Sequence, residues 1–176
     1  MKTRRKGFTA LELLITLAIV AILMATAIPA VKNYSWNLRM RAAMNALQTD
    51  LNLARGRAIS HNVQTVICPA PDVDDCSGLA VWQHGWIVFS DLNNDRQRQA
   101  TEPLLARAGP TDFVKIHSSQ ARSYLRFYPN GSSPGSNITI LFCDERGANH
   151  AARVIVSNSG RIRTESGLGG SFENCP

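Results

Sequence analysis

Residues 7–24 read GFTALELLITLAIVAILM, a glycine followed by a long apolar stretch, and this stretch decides the fold of the chain. Between Phe8 and Val31 the only charged residue is Glu12. A helix of about 20 apolar residues is long enough to cross the hydrocarbon core of a bilayer. The sequence therefore predicts a membrane-spanning helix over about residues 8–30.

Four cations stand directly before this span, at Lys2, Arg4, Arg5 and Lys6. Cations beside a span stay in the cytoplasm, so we expect a cytoplasmic N-terminus and a head on the other side of the membrane. A cleaved secretory signal is the alternative, because Ala25-Thr26-Ala27 imitates a cleavage site of small residues.

The segment Lys6-Gly7-Phe8-Thr9, followed by Glu12, resembles the prepilin signal of type IV pilins and type II secretion pseudopilins. The resemblance implies that a prepilin peptidase cuts between Gly7 and Phe8 and that Phe8 becomes a methylated N-terminus. Glu12 is then the fifth mature residue, and Pro29 matches the family proline that loosens the long helix. Residues 1–7 are accordingly expected to be a leader.

The same resemblance implies where the chain resides and what it contacts. It predicts a single-pass protein of the bacterial inner membrane that later enters a pilus in the periplasm and at the cell surface. The expected partners are other major and minor pilins.

Glu12 also has a physical argument of its own. A carboxylate inside a bilayer costs about 2.5 to 3.5 kcal/mol on insertion scales, so such a residue needs a partner. In a filament of parallel helices, the nearest cation is the N-terminal ammonium of Phe8 on a neighbouring subunit. The alternative is that Glu12, one turn into the helix, reaches the cytoplasmic interface.

Beyond Pro29 the helical pattern continues to about Ser60, and His61-Asn62 supplies a C-terminal stop. One apolar stripe recurs at spacings of three and four and should pack against the head, through Met40, Met44, Leu47, Leu51, Ala54 and Ala58. The helical cations fall on other faces, where we expect solvent or neighbouring subunits: Arg39, Arg41, Arg55 and Arg57.

Residues 61–176 suffice for one domain, and their pattern changes to short strands separated by turn signals. The predicted strands are 63–68, 85–90, 113–117, 124–128, 138–143 and 154–157, with a further one at 161–164. The expected fold is α+β and type IV pilin-like, with a long N-terminal helix over residues 8–60 packed on a C-terminal antiparallel β-sheet head.

Four cysteines lie in the predicted head, at Cys68, Cys76, Cys143 and Cys175. Their even number and extracytoplasmic placement predict two disulfides. Three pairings are open from the sequence; we favour Cys68 with Cys76, closing a small loop, and Cys143 with Cys175, holding a Gly-rich tail. A zinc site is disfavoured, because no C-x-x-C is present and no histidine is closely spaced to the cysteines.

The head resembles the GspH/FimT family of minor pilins and pseudopilins in three blocks: LARGRAIS at 53–60, WQHGWIVFSD at 82–91 and FYPNG at 127–131. Together with the N-terminus, this similarity covers nearly the whole chain. Within the GWIVF block, Trp82 and Trp86 are interpreted as core aromatics; the alternative is a stacking platform for bases.

Asp91, Asn93 and Asp95 have the oxygen-ligand alternation that begins a calcium-binding EF-hand loop. Glu102 stands at the twelfth position, as such a loop requires, but Arg96 replaces the glycine at the sixth. A solvated turn rich in Asp and Asn is the favoured interpretation.

Net charge does not by itself indicate a nucleic-acid partner. The chain carries a formal charge of +6, but after loss of the leader fifteen Lys and Arg face thirteen Asp and Glu, a side-chain balance of +2. The distribution is more informative, because no acid occurs between Arg146 and Arg163 while four cations do: Arg146, Arg153, Arg161 and Arg163.

Gly160-Arg161-Ile162-Arg163 would place two guanidiniums on one face of a strand, about 7 Å apart, with Ile162 facing inward. Such a pair suits successive phosphates. The segment resembles the Gly-Arg-x-Arg motif of the FimT branch of the family, which is associated with DNA capture in natural transformation. The resemblance implies non-specific binding of double-stranded DNA through Gly160, Arg161 and Arg163, with Arg146 and Arg153 contributing.

The sequence leaves two other classes of function to compare. One is a purely structural minor pilin or pseudopilin without DNA binding, either a pilus-tip initiator resembling FimU or a type II secretion subunit resembling GspH. The other is an enzyme, which is disfavoured because the four histidines are scattered and no nucleophile motif or Gly-rich phosphate loop occurs. We expect no cofactor and no metal.

Overall fold

The computed structural model describes residues 9–71, 75–119, 122–167 and 175. Within these residues, one long helix, α1 (Ala10–His61), is followed by eight strands. The strands are β1 (Thr65–Pro69), β2 (Trp86–Ser90), β3 (Leu104–Ala108), β4 (Lys115–Ser118), β5 (Leu125–Phe127), β6 (Ile138–Cys143), β7 (Ala152–Val156) and β8 (Ile162–Ser166). Two compact units divide the chain between Leu38 and Arg39.

The first unit is the apolar part of α1. An 18-residue window of this helix has a mean hydropathy of 2.5 and is entirely exposed, so by length and composition the helix is able to cross a membrane. Helical hydrogen bonding continues past Pro29, which lacks the N–H that an interior residue normally donates.

The second unit contains two antiparallel sheets of four strands each. Strands early in the chain form the first sheet and later strands form the second, except that β4 and β5 are exchanged. The first sheet has the order β3-β2-β1-β5, and the second has the order β4-β6-β7-β8. Strand β5 therefore belongs to the first sheet although β4, which precedes it, belongs to the second.

The core of this unit lies between the C-terminal part of α1 and the two sheets. All six residues of the predicted helical stripe are buried in it, and Ala43 joins them. Trp82 and Trp86 are buried in the same cluster, which confirms their interpretation as core aromatics. Burying a large apolar side chain contributes about 1.5 to 3 kcal/mol, so this stripe provides much of the attachment of helix to head.

Helix α1 ends at His61 because Asn62 takes a left-handed conformation, with φ at 52°. Asn tolerates this conformation better than most residues, and the N–H of Val63 then donates to the carbonyl of Ala58. The chain can therefore turn directly into β1.

The predicted fold class, a long N-terminal helix packed on antiparallel strands in a pilin-like arrangement, is confirmed. Seven of the eight strands overlap the predicted ones, and the strand at Ile138–Cys143 has the predicted bounds. Strand β3 was not predicted. It forms the edge of its sheet and its sequence, LLARA, lacks the β-branched and aromatic residues typical of strands.

Candidate functional site

The predicted processing and assembly residues lie at the N-terminus. Gly7 and Phe8 fall outside the described residues. Thr9 caps the start of α1, since its Oγ1 accepts a hydrogen bond of 3.2 Å from the backbone N–H of Glu12. Glu12 is exposed in the first turn of the helix, where a negative charge interacts favourably with the helix dipole.

The Gly-Arg-x-Arg segment forms the turn between β7 and β8. Gly160 has φ at 74° and donates its N–H to the carbonyl of Ser157 at 2.8 Å, while the N–H of Ser157 donates to the carbonyl of Arg161 at 3.1 Å. Strand β8 begins at Ile162, so Arg161 precedes the strand. Ile162 packs against the core, and Arg163 is exposed.

Gly160 also meets two other parts of the head. A Cβ atom at this position would lie 1.9 Å from the carbonyl oxygen of Gly131, which no side chain can accommodate. The same carbonyl accepts a hydrogen bond of 2.9 Å from Nε of Arg55 in α1. Helix, β5–β6 loop and β7–β8 turn thus meet at one point, and Gly160 has a structural role there. Arg55, expected on a solvated face, is a partner in this junction.

Arg153 and Arg163 are brought together on β7 and β8 by Glu165. Register pairs Arg153 with Glu165, and the carboxylate Oε2 lies 2.7 Å from Nε and 2.5 Å from Nη2 of Arg153. The other oxygen, Oε1, lies 3.6 Å from Nε of Arg163. One carboxylate therefore offsets the positive charge of both arginines.

Arg146 is held separately, in the turn between β6 and β7. Its guanidinium donates to both carboxylate oxygens of Asp144, at distances from 2.6 to 3.1 Å. The Asp144 side chain is fully buried, and that of Arg146 is 13% exposed. This ion pair is structural, and it lies at the end of β7 opposite to the Ser157–Gly160 turn.

Of the five residues predicted to contact DNA, the structure leaves Arg161 most available. It is exposed, and no described residue accepts a hydrogen bond or ion pair from its guanidinium. Two other arginines of the head belong to other segments. Arg122 donates to the carbonyl of Gly135, and Arg126 is on β5 in the other sheet.

The EF-hand-like segment is a hydrogen-bonded turn. Asp91 is buried and accepts from the side chain of Gln64 and from the N–H groups of Asp95 and Arg96. Glu102, also buried, accepts from the N–H groups of Leu92 and Gln99. The favoured interpretation is thus corrected in one respect, since these two carboxylates are buried where a solvated turn was expected. Among the described residues, no three His, Cys, Asp or Glu side chains are grouped as metal ligands.

Asp95, within this turn, is exposed and well supplied with donors. The N–H of Gln97 and the side chains of Gln99 and Asn93 all donate to its carboxylate, which lowers the pKa of Asp95 below its ordinary value. These bonds fix the conformation of the loop beside β5.

Both disulfides favoured from the sequence are present, Cys68–Cys76 and Cys143–Cys175. The first crosses 8 residues and packs in a small cluster on the outer side of the first sheet. The second crosses 32 residues and connects Cys175 to the end of β6.

Sequence reasoning missed two arginine–tyrosine pairs beside β5. The guanidinium carbon of Arg126 lies 4.9 Å from the ring centre of Tyr128, and that of Arg96 lies 5.2 Å from the ring centre of Tyr124. The strict alternation Arg122-x-Tyr124-x-Arg126-x-Tyr128 is the signal that could have found this face, because alternate residues of a strand share a side.

An exposed apolar helix that continues into an antiparallel β head defines a type IV pilin-like protein. The model for the prokaryotic N-terminal methylation motif matches residues 2–28, and the model for type II transport protein GspH matches residues 43–160, well over half of the chain. The chain belongs to the GspH family, whose members are structural pilin-type subunits and not enzymes.

Curated relatives include a type IV major fimbrial protein FimA of Dichelobacter nodosus, 36% identical over 109 residues that cover 58% of this chain and 62% of the relative. The type IV major pilin protein PilE1 of Neisseria gonorrhoeae is 35% identical over 101 residues, covering 54% and 47%. The chain thus spans about three fifths or less of these relatives.

Two solved structures share the fold. The type IV minor pilin FimU of Pseudomonas aeruginosa superposes with a TM-score of 0.63 at 20% identity, covering 81% of this chain and 99% of FimU. The minor pseudopilin EpsH of the Vibrio cholerae type 2 secretion system gives a TM-score of 0.53 at 9% identity, covering 73% and 97%.

The family matches make the chain a type IV pilin-like subunit of the GspH family, and the two solved structures share its fold. Its methylation motif implies processing by a prepilin peptidase and assembly with other pilins. Such a subunit resides in the inner membrane before assembly and in the filament afterwards.

Proposed function

We propose that this chain is a structural minor pilin of a type IV pilus. The observation that carries the proposal is the uncovered apolar surface of α1. Every large apolar side chain from Leu11 to Val31 is between 48% and 68% exposed. A helix that is apolar on all sides needs lipid or other apolar helices around it, and a bundle of pilin helices provides this environment.

Assignment to a pilus rather than to a secretion system rests on the relatives. Those that match with 35% or 36% identity are called type IV pilins or fimbrial proteins. The charge pattern agrees with a structural subunit, since Glu165 and Asp144 already pair with three of the four cations in the 146–163 run.

Deletion of the gene in the native host tests this function. The expected result is loss of surface pili with secretion of type II substrates intact. Expression of the wild-type chain in the deletion strain should restore the pili. Loss of enzyme secretion with normal pili would instead identify a pseudopilin and overturn the proposal.

Glu12 supplies a sharper test of the assembly role. We expect the Glu12→Gln chain to accumulate in the membrane and to be absent from sheared pili, because it lacks the charge that would pair with the N-terminus of a neighbour. Thr16→Val, one turn further along the same helix, is the matched control and should assemble. Normal incorporation of the Glu12→Gln chain into pili would show that assembly does not require the charge of Glu12.

A second candidate function, capture of DNA, is favoured by one observation. Arg161 and Arg163 are both exposed at the β7–β8 turn, and Arg161 has no acceptor among the described residues. Two exposed guanidiniums can bind phosphates without reading base sequence. Few contacts would give weak binding that falls steeply with salt.

Titration of the full chain in detergent micelles with an unrelated duplex, at low and moderate salt, tests this candidate. The variant Arg161→Gln with Arg163→Gln should lose binding. Arg41→Gln with Lys115→Gln removes the same charge from exposed positions elsewhere and should retain most of it. Equal loss in both variants, or no binding by the wild type at low salt, would exclude the turn as a DNA site.

A further inference from the structure

A groove lies beside β5, between the end of α1 and the loop that follows β2. We call it the β5 groove, and its lining residues are Asn62, Val63, Gln64, Asp91, Leu92, Asn94, Arg126, Tyr128 and Pro129. Its volume is about 520 Å³, within the range of sites that hold small ligands. None of these residues belongs to the assembly helix stretch or to the β7–β8 turn.

The cationic residue that lines this groove is Arg126. Its guanidinium stacks over the ring of Tyr128, and its Nε is buried with no hydrogen-bond acceptor among the described residues. Buried donors of charged groups are normally paired, because leaving one unpaired costs about 1 to 3 kcal/mol or more. Because Arg126 as a whole is only half-buried, an oxyanion in the groove would pair with the accessible part of this guanidinium rather than with Nε.

Asp91, the one acidic residue in the described lining of the groove, does not supply that oxyanion. Its carboxylate accepts from Gln64 Nε2 at 2.7 Å and from the N–H groups of Asp95 and Arg96 at 3.2 and 3.1 Å. With these donors in place, Asp91 holds the wall of the groove and leaves Arg126 available to a ligand.

The rest of the lining offers amides on one side and apolar surface on the other. Asn62 and Asn94 each have a positive φ, at 52° and 64°, and neither side-chain amide is bound by a described residue. An amide both donates and accepts, which suits hydroxyl groups. Leu92, Tyr128 and Pro129 supply the apolar surface.

We propose that the β5 groove binds an acidic saccharide unit, with the ligand carboxylate on Arg126 and its ring hydroxyls on Asn62 and Asn94. The combination of one guanidinium, two free amides and an apolar wall matches a ligand that has one negative charge, several hydroxyls and a C–H face. A nucleic acid fits less well, because Arg126 is the only Lys or Arg among the described residues that line the groove, and a strand presents successive phosphates.

Calorimetric titration of the full chain with glucuronate tests the proposal, in a zwitterionic detergent without a sugar head group. Glucose and inorganic phosphate serve as the neutral saccharide and the anion without hydroxyl-bearing ring. Saturable binding of glucuronate is expected, with both others at least about tenfold weaker. Glucose lacks the charge-assisted hydrogen bond to Arg126, and phosphate lacks the ring hydroxyls for Asn62 and Asn94.

Variants locate the site. Arg126→Gln should weaken glucuronate binding about tenfold or more. Arg122→Gln, which removes the same charge from a residue bonded to the Gly135 carbonyl outside the groove, should leave it unchanged. Asn62→Gly keeps the positive φ accessible, removes one amide and should weaken binding with the charge intact.

Three results would overturn the proposal. They are absence of glucuronate binding by the wild type, phosphate binding as tight as that of glucuronate, and unchanged binding in a folded Arg126→Gln chain. If Arg126→Gln fails to fold, undiminished binding by Asn62→Gly would overturn it instead. The β7–β8 turn is unaffected by these variants, so DNA binding is judged independently.

Discussion

The indole Nε1 of Trp86 donates a hydrogen bond of 2.8 Å to Oδ2 of Asp50, joining the C-terminal part of α1 to the first residue of β2. Trp86 is 1% exposed, so its N–H has no access to solvent. The bond therefore satisfies a buried donor at the contact between helix and head.

Loss of this acceptor should destabilise the head. We expect Asp50→Ala to lower the free energy of unfolding by about 1 to 3 kcal/mol, since it leaves a buried indole N–H unpaired. Asp50→Asn keeps a carbonyl acceptor and is the control. Urea unfolding of the full chain in micelles, followed by tryptophan fluorescence, measures both; equal stability of the Ala and Asn variants would contradict the role of the bond.

The same pair predicts a dependence on pH. Burial raises the pKa of Asp50 above its ordinary value of 3.8, while the hydrogen bond from Trp86 lowers it by less. The folded chain thus binds a proton at Asp50 more readily than the unfolded chain, and the contribution of this group to stability falls as pH rises through the raised pKa. The stability of Asp50→Asn relative to the wild type should therefore increase from acid to neutral pH. A constant difference across this interval would show that Asp50 is not perturbed.

Gly160 should be intolerant of a side chain. Gly160→Ala introduces a Cβ at a positive φ and against the carbonyl of Gly131, so the loss of stability should exceed the roughly 1 to 3 kcal/mol of backbone strain alone. Gly167→Ala is the matched control, because Gly167 has a similar φ of 70° and nothing within 4 Å of the added atom. Similar losses of stability in both variants would mean that the contact with the Gly131 carbonyl does not contribute to the effect.

Glu165 should limit any binding of DNA at the β7–β8 turn. Glu165→Gln removes the carboxylate that pairs with Arg153 and approaches Arg163, so DNA affinity at low salt should rise several-fold. Stability should change by only about 0 to 1 kcal/mol, because the pair is partly exposed. Unchanged or weaker DNA binding by Glu165→Gln would show that Arg163 does not contact DNA phosphates.

The two disulfides should differ in their effect on stability. Removing Cys143–Cys175, which crosses 32 residues, should cost about 3.5 kcal/mol, and removing Cys68–Cys76, which crosses 8, about 2.5 kcal/mol. Paired Cys→Ser variants compared by urea unfolding give the two values. A larger loss at Cys68–Cys76 would show that packing of its loop outweighs chain entropy.

Local patterns predicted most of the fold. The run Ile138–Cys143 is apolar except for Thr139 and gave the bounds of β6. The three- and four-residue spacing from Met40 to Ala58 identified the buried face of α1. Strand β3 was missed because an edge strand of Leu, Ala and Arg carries little β propensity. Its position depends on pairing with β2, which is a tertiary property.

The site was less accessible from sequence, because its partners are distant along the chain. Arg55 and the carbonyl of Gly131 are 76 residues apart, and no spacing rule connects them. Glu165 lies only two residues beyond Arg163, but its pairing with Arg153 depends on the register of β7 and β8. The sequence of residues 146–163 therefore suggested a more positive surface than the folded chain has.

The central claim, that this chain is a structural subunit of a type IV pilus, is tested most directly by mass spectrometry of pili sheared from the native host. We predict that the chain is present in the filament fraction in small amount relative to the major pilin, with a methylated N-terminus at Phe8. A chain found only in the membrane fraction, or one that retains residues 1–7 in the filament, would contradict the account.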